Sequence, residues 1–269
     1  LVGEKVAIVS DKPQTTRRGI RGIRTEPAFQ IVFVDTPGFH KPRTLLGRRL
    51  NDAVRDATAG VDAIVLVVDA ASGVGRGDAY VYAHEVAVVD APRFCVVNKI
   101  DRLGRGRDLP QLAAAAPLGT FDEIVPLSAS TGDGLDVLLR LLVERMPEGP
   151  ALYPGGEATD QPLEERIAEI VREQALARTR EEVPHSVAVV VDEVQVEGDL
   201  TRVIARIVVE RDSQKGILIG AKAANLKAIG TAARLGLEAL LGTRVFLDLQ
   251  VTVFPGWQRD PKGLQRLGY

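Results

Sequence analysis

Arg93-Phe94-Cys95-Val96-Val97-Asn98-Lys99-Ile100-Asp101 decides the fold. Phe94 to Val97 is apolar without alternation, which marks a strand buried on both faces and so a parallel sheet. The strand then breaks into polar residues at its carboxyl end. The same grammar recurs. Residues 29–34 run into Asp35-Thr36-Pro37-Gly38, residues 63–68 into Asp69, and residues 124–127 into Ser128-Ala129. In open parallel sheets, ligands bind at the carboxyl edge of the strands.

Working outward, residues 20–25 and 29–34 read as neighbouring strands around the turn Glu26-Pro27-Ala28. Residues 44–59 carry Leu45, Leu46, Leu50, Ala53 and Val54 on one face and arginines on the other, a helical spacing. Helices are expected over 77–89 and 133–145, the latter after the Thr131-Gly132-Asp133-Gly134 turn. Alternating strands and helices make the first half an α/β fold with helices on both faces of a mostly parallel sheet. Residues 148–162 are rich in glycine and proline and read as a linker. The second half changes order. A helix over 163–179 precedes two β-rich runs, 187–196 and 202–211, around the turn Glu197-Gly198-Asp199. Two short helices over 216–229 and 230–241 and a strand over 245–254 follow, giving an α-β-β-α-α-β domain. The expected organisation is one domain over 1–147, a linker over 148–162 and a second domain over 163–269.

Composition narrows the partners. The 269 residues carry a net charge of −2 and 4% aromatics. No global basicity advertises nucleic-acid binding, so any such site is local, and stacking on aromatic platforms is not its main mode. Cys95 is the only cysteine, so an intrachain disulfide is excluded, which fits a reducing cytoplasm. The apolar runs are too short to span a bilayer. The chain begins at Leu1, and Met146 is its only methionine, so the natural amino terminus is expected upstream.

The strand ends carry a specific chemistry. A carboxylate such as Asp101 can accept two hydrogen bonds from the N1–H and N2–H₂ edge of guanine, a donor pair that adenine lacks. Asn98 can brace the neighbouring loops, and the Lys99 stem can lie over a base. A backbone N–H at Ser128-Ala129 can meet guanine O6. Asp35 can orient Mg²⁺ through water, and Gly38 leaves its N–H open to a terminal phosphate. Gln14-Thr15-Thr16-Arg17 lies in a polar stretch ahead of the first strand pair. A threonine there can close over the metal; spacing does not separate Thr15 from Thr16, and Thr16 is favoured. Each motif alone also reads as an ordinary strand end or surface loop. Their order, each after a strand, is what points to a guanine nucleotide.

Gln14-Thr15-Thr16-Arg17, Asp35-Thr36-Pro37-Gly38, Asn98-Lys99-Ile100-Asp101 and Ser128-Ala129, followed by the α-β-β-α-α-β domain, resemble the Era family of bacterial GTPases. The resemblance covers essentially the whole chain, including Arg266-Leu267-Gly268-Tyr269. It implies a Ras-like G domain with a type II KH domain, and GTP/GDP with Mg²⁺ as ligands. It implies Thr16 and Asp35 at the metal, and nucleotide contacts from Asp35, Thr36, Pro37, Gly38, Phe39, Asn98, Lys99, Asp101, Ser128 and Ala129. Gln14, Thr15, Thr16 and Arg17 would form the first switch loop. The implied partners are the 3′ region of small-subunit ribosomal RNA and the 30S subunit, in whose maturation family members act. The implied location is the cytoplasm. Peripheral contact with the inner face of the membrane through the arginine-rich 43–55 segment is a second reading, beside a solvated face.

Two departures accompany the resemblance. The family's Gly-x-x-x-x-Gly-Lys-Ser/Thr loop belongs upstream of residues 3–10, and the sequence begins at Leu1. Without that loop and its central strand, this chain alone is expected to fold poorly and to lack catalysis. GTP hydrolysis is assigned to the longer parent, with a non-enzymatic RNA-binding protein as the alternative. In the second domain, the RNA-clamping Gly-x-x-Gly loop reads Gly220-Ala221-Lys222-Ala223. Lys222 and Lys227 remain to meet phosphates, and Ala223 costs roughly 1 kcal/mol if its position needs φ > 0. Phe39 stands where Ras-like enzymes carry a water-orienting glutamine, so hydrolysis is expected to be slow and dependent on backbone, metal or a partner. His40 is a weaker candidate for orienting water, and no residue is singled out as a catalytic base.

Overall fold

The computed structural model describes residues 1–12, 14–39, 42, 44–104 and 108–269. His40 and Arg43 lie outside the described residues. In chain order the elements are β1 (Ile20–Glu26), β2 (Phe29–Asp35), α1 (Leu45–Thr58), β3 (Ile64–Asp69), α2 (Arg76–Val81), β4 (Arg93–Asn98), α3 (Asp108–Ala115), β5 (Glu123–Pro126) and α4 (Leu135–Val143). Then come α5 (Leu163–Ala177), β6 (Ala188–Glu197), β7 (Leu200–Val209), α6 (Asp212–Ile219), α7 (Ala224–Leu241), β8 (Arg244–Val253) and α8 (Pro261–Arg266). The chain forms two compact units. One comprises residue 1, 23–32 and 55–157; the other comprises 2–22, 33–54 and 158–269. Their division at Glu157/Ala158 falls within the expected linker, and the second unit also takes in two segments from the first half.

In the first unit, β3, β4 and β5 form a parallel sheet in that order. Its strands are built from the unalternated apolar runs, and Phe94, Cys95 and Val97 are fully buried. Leu66, Val68, Cys95 and Val97 pack with Val86 and Ala115 into one core. Register places Asp69 beside Asn98, so the polar strand ends lie on one edge. The helix expected over 77–89 is α for only its first part. Residues Tyr82–Val86 form a π-helical turn, and the one extra residue per turn is invisible to apolar spacing. α3 was not anticipated; Leu109, Ala113 and Ala114 in an alanine-rich run give little amphipathic contrast.

In the second unit, β6–β7 is an antiparallel hairpin and β8 runs parallel to β7. α5 and α7 cover one face through Ile167, Val171 and Ala175 against Ile229, Ala233 and Leu237. Leu46 and Leu50 of α1 pack with Ala188, Val208, Trp257 and Leu264, so the apolar stripe of α1 is buried against protein. The two helices expected over 216–229 and 230–241 divide elsewhere: α6 ends at Ile219 and α7 runs unbroken through Gly230. Gly220 has φ 72° and ψ 175°, and a Cβ there would lie 2.9 Å from Asn225 Cβ, whereas at Gly230 it would meet nothing within 4 Å. The break belongs to the glycine that needs the left-handed region. α8 also went unread, although Asp260 caps it by accepting from Lys262 and Gly263 N–H, with Pro261 at the first helical position. No described helix is long and apolar enough to cross a membrane.

Candidate functional site

The end of β4 is tied to the end of β5 by side chains. Asn98 Oδ1 accepts from the Lys99 N–H at 2.7 Å and from the Ala129 N–H at 3.0 Å. Ser128 Oγ, fully buried, donates to Asp101 Oδ1 at 2.6 Å, and Ser130 Oγ donates to Oδ2 at 3.3 Å. The hydrogen bond from the Ser128 hydroxyl is the main reason the exposed Asp101 carboxyl is held below the usual carboxylate range. Lys99 takes the left-handed conformation, φ 66° and ψ 33°, unusual for a residue with a Cβ. Its ammonium reaches Asp69 Oδ2 at 2.6 Å. Burial pushes the Asp69 carboxyl up, but Lys99 and the amides of Ala71 and Ser72 more than offset this, so its pKa falls below the ordinary value. All four predicted residues, Asn98, Lys99, Asp101 and Ser128, are thus brought together with Ala129. Asp69 and Ser130 join them; both were legible as polar residues just past a parallel strand.

The second cluster lies at the end of β2. Thr16 Oγ1 donates to Asp35 Oδ2 at 3.0 Å, while Thr15 Oγ1 donates to the Lys12 carbonyl at 2.7 Å. The structure therefore separates the two threonines: Thr16 faces the carboxylate and Thr15 does not. Desolvation raises the Asp35 pKa, only partly opposed by hydrogen bonds from Thr16 and the Thr36 amide. The Asp35 carboxyl group is exposed at the strand end and accepts from the Thr16 hydroxyl, so it has acceptor positions left that an oxygen-coordinated cation could use. Among the described residues no group of three or more His, Cys, Asp or Glu forms a self-sufficient metal cage. Pro37 is buried, and Thr36 and Phe39 are partly covered. At Gly38 a Cβ would meet nothing within 4 Å, so no protein neighbour demands glycine there.

Gln14 and Arg17 belong to the same short segment as Thr16. Gln14 adopts φ 61°. Arg17 turns away and is 4% exposed. Its Nη1 donates to the Val187 carbonyl at 2.6 Å, and its Nη2 to the carbonyls of His185 at 2.9 Å and Pro184 at 3.2 Å. The Thr15 carbonyl accepts from Arg172 Nη2 of α5. Nothing in the sequence pattern signalled these partners.

In the KH-like segment, Gly220, Ala221, Lys222 and Ala223 form the loop between α6 and α7. Ala223 is at φ 60° and ψ 21°, and Lys222 at φ 49°. The condition for a strain cost at Ala223 is met. Lys222 and Lys227 are exposed. Beside the loop lies a groove of about 380 Å³, with Leu226, Lys227, Thr231 and Arg234 on one wall and Leu247 and Leu249 on the other. Arg234 and the leucines of β8 extend the predicted surface; only the tertiary pairing of α7 with β8 reveals them.

A family model described as "50S ribosome-binding GTPase" matches residues 1–99, and one described as "KH domain" matches residues 182–258. GTPase Era of Mycolicibacterium smegmatis is 52% identical over 276 residues, covering 100% of this chain and 92% of that protein. GTPase Era of Mycobacterium tuberculosis is 52% identical over 275 residues with the same coverage. Among solved structures, Era in complex with MgGDPNP and nucleotides 1506–1542 of 16S ribosomal RNA matches with a TM-score of 0.94 and 37% identity, over 99% of this chain and 91% of that one. An Aquifex aeolicus Era variant bound to GDP and AlF4⁻ also matches with a TM-score of 0.94 and 37% identity, over the same shares.

Proposed function

The chain belongs to the Era family of GTPases, and we propose that it is a guanine-nucleotide switch that binds the 3′ region of small-subunit ribosomal RNA and assists maturation of the 30S subunit. The observation that carries the nucleotide reading is the Asn98 bridge: one carboxamide holds the Ala129 amide while Ser128 fixes the Asp101 carboxylate. That preorganises an ionised acceptor pair for guanine N1–H and N2–H₂, and it fixes the Ser128-Ala129 backbone beside it. Thr16 and Asp35 would hold Mg²⁺, with Asp35 acting through water. The ion's part is to neutralise charge on the phosphates. At Gly38 no Cβ stands between the backbone and an approaching phosphate. The Phe39 ring cannot orient a water by hydrogen bonding, so this position gives no side-chain help to hydrolysis. Slow intrinsic turnover and stimulation by a partner follow.

The functional division follows the motif order: residues 1–147 for the nucleotide, 163–269 for RNA, and 148–162 between them. RNA would be clamped by Gly220–Ala223 and Lys227 beside the groove of α7 and β8. The broad family description names the large subunit, whereas the RNA bound to the structural relative is 16S, a small-subunit RNA. The 16S fragment bound to that relative supports the small-subunit reading. Binding of a fluorescently labelled 3′-terminal 16S fragment by the full-length protein, with GTP analogue and with GDP, tests the proposal. Tighter binding with the analogue supports the switch; equal affinity sinks it. Burial of the apolar stripe of α1 in protein weighs against a membrane role for that helix, and vesicle flotation tests this independently.

A further inference from the structure

Residues 15–18 have two sets of partners. Thr16 faces Asp35, the proposed metal carboxylate. The residues flanking it are held by the RNA-binding half of the second unit. The Thr15 carbonyl accepts from Arg172 of α5, and Arg18 donates to the Leu267 carbonyl at 3.1 Å and pairs with Glu165 at 2.7 Å. Arg17 goes deepest. Its guanidinium fills the carbonyl end of the 3₁₀ turn Pro184–Ser186, just where the chain enters β6. Such carbonyls have no partner within the turn itself, and a guanidinium can meet several at once. Arg17 also lies 5.9 Å from the Trp257 ring centre and 5.7 Å from that of Tyr269. α5, which holds Thr15, packs on α7, one wall of the groove.

We propose that Arg17 is the positioning residue that couples the nucleotide to RNA: its seat in the Pro184–Val187 carbonyls ties the position of Thr16 to the geometry of the RNA-binding domain. The inference rests on the switch reading above. Adjacent residues on one short backbone cannot move independently, so a shift of Thr16 towards or away from a metal loads or loosens the Arg17 seat. Three charge-assisted hydrogen bonds, two of them buried, hold the guanidinium at that seat. By linkage, whatever factor GTP adds to RNA affinity, RNA must add to GTP affinity.

The full-length protein and its Arg17→Ala and Arg17→Lys variants are compared for binding to the 16S fragment with GTP analogue and with GDP. Wild type is expected to show a ratio of about tenfold, within the usual range of allosteric coupling. In both variants the ratio falls to within about twofold of one, because a lysine ammonium cannot span the three carbonyls. RNA affinity in GDP is retained, and the reciprocal effect of RNA on analogue affinity is lost with the ratio. A merely structural arginine would weaken binding in both nucleotide states and leave the ratio alone. A wild-type ratio above one that survives in Arg17→Ala overturns the inference but spares the switch. A wild-type ratio of one overturns both. Should the variants fail to fold, hydrogen exchange of wild type decides: amides of residues 185–188 are expected to be more protected with GTP analogue than with GDP, and equal protection overturns the proposal.

Discussion

The Asn98–Asp101 cluster and the Thr16–Asp35 cluster are held in place by opposite means. Among the described residues, Asn98, Lys99 and Asp101 find their side-chain partners within the segment itself or at neighbouring strand ends: Ser128, Ala129, Ser130 and Asp69. Around Thr16, the flanking residues are fixed by atoms from α5, the 184–187 turn and residue 267. The first is a prebuilt receptor whose shape depends on its own sheet. The second takes its shape from segments far along the chain in the same compact unit. A base, which is the same in GDP and GTP, suits a rigid receptor; the γ-phosphate, which differs, suits a loop whose position is shared with the part of the protein that must respond.

Substitutions should separate the two designs. The largest effect is expected for Arg17→Ala, which leaves three buried carbonyls without their donor and should cost about 3–4 kcal/mol of unfolding free energy, read by denaturant titration. A loss below about 1 kcal/mol would mean the seat is not part of the folded ground state. Next is Asp101→Asn. Losing the carboxylate should weaken GDP binding on the order of 100-fold and shift preference towards xanthosine diphosphate, whose C2 carbonyl suits the new amide donor. Stability should barely change, since Asp101 is exposed. Asn98→Ala should cost about 2 kcal/mol, because the amides of Lys99 and Ala129 lose their acceptor, and it should weaken guanine binding without altering the GTP-to-GDP ratio for RNA. Ala223→Gly should gain up to about 1 kcal/mol by relieving a left-handed alanine, with RNA affinity unchanged or improved.

The smallest effect is a matter of pH. The Ser128 hydroxyl keeps Asp101 ionised below the ordinary carboxylate range. A depressed pKa means the contribution is present above the unfolded value and disappears as pH falls through the folded one. Ser128→Ala should therefore move the acid fall-off of guanine affinity upward, towards the ordinary Asp value of about 3.9. A profile that does not move would show that Ser128 only packs.

The same contrast explains what the sequence could reveal. The Asn98–Asp101 cluster was readable because its residues follow apolar strands at the edge where parallel sheets bind ligands, and no distant contact was needed to see it. Thr16 could be ranked above Thr15, yet the reason emerged only from its bond to Asp35. Arg17 read as part of a switch loop, while its acceptors are main-chain carbonyls near residue 185, and carbonyls carry no sequence signature. The helix break was misplaced because Gly230 looked like a terminator. A mid-helix glycine costs only about 1 kcal/mol, and packing of Ile229 and Ala233 tolerates it, whereas Gly220 has a conformation that other residues avoid.

Trp257 is the single tryptophan of the chain and is fully buried, with Tyr269 stacked at 5.7 Å and the Arg17 guanidinium over its ring. The intrinsic emission of the protein therefore comes from one indole, placed against the residue that joins the switch loop to the RNA-binding domain. Its wavelength and intensity respond to the nearby positive charge and to any entry of water. Without a label, mixing with nucleotide in a stopped-flow fluorimeter would report how fast that seat tightens or releases.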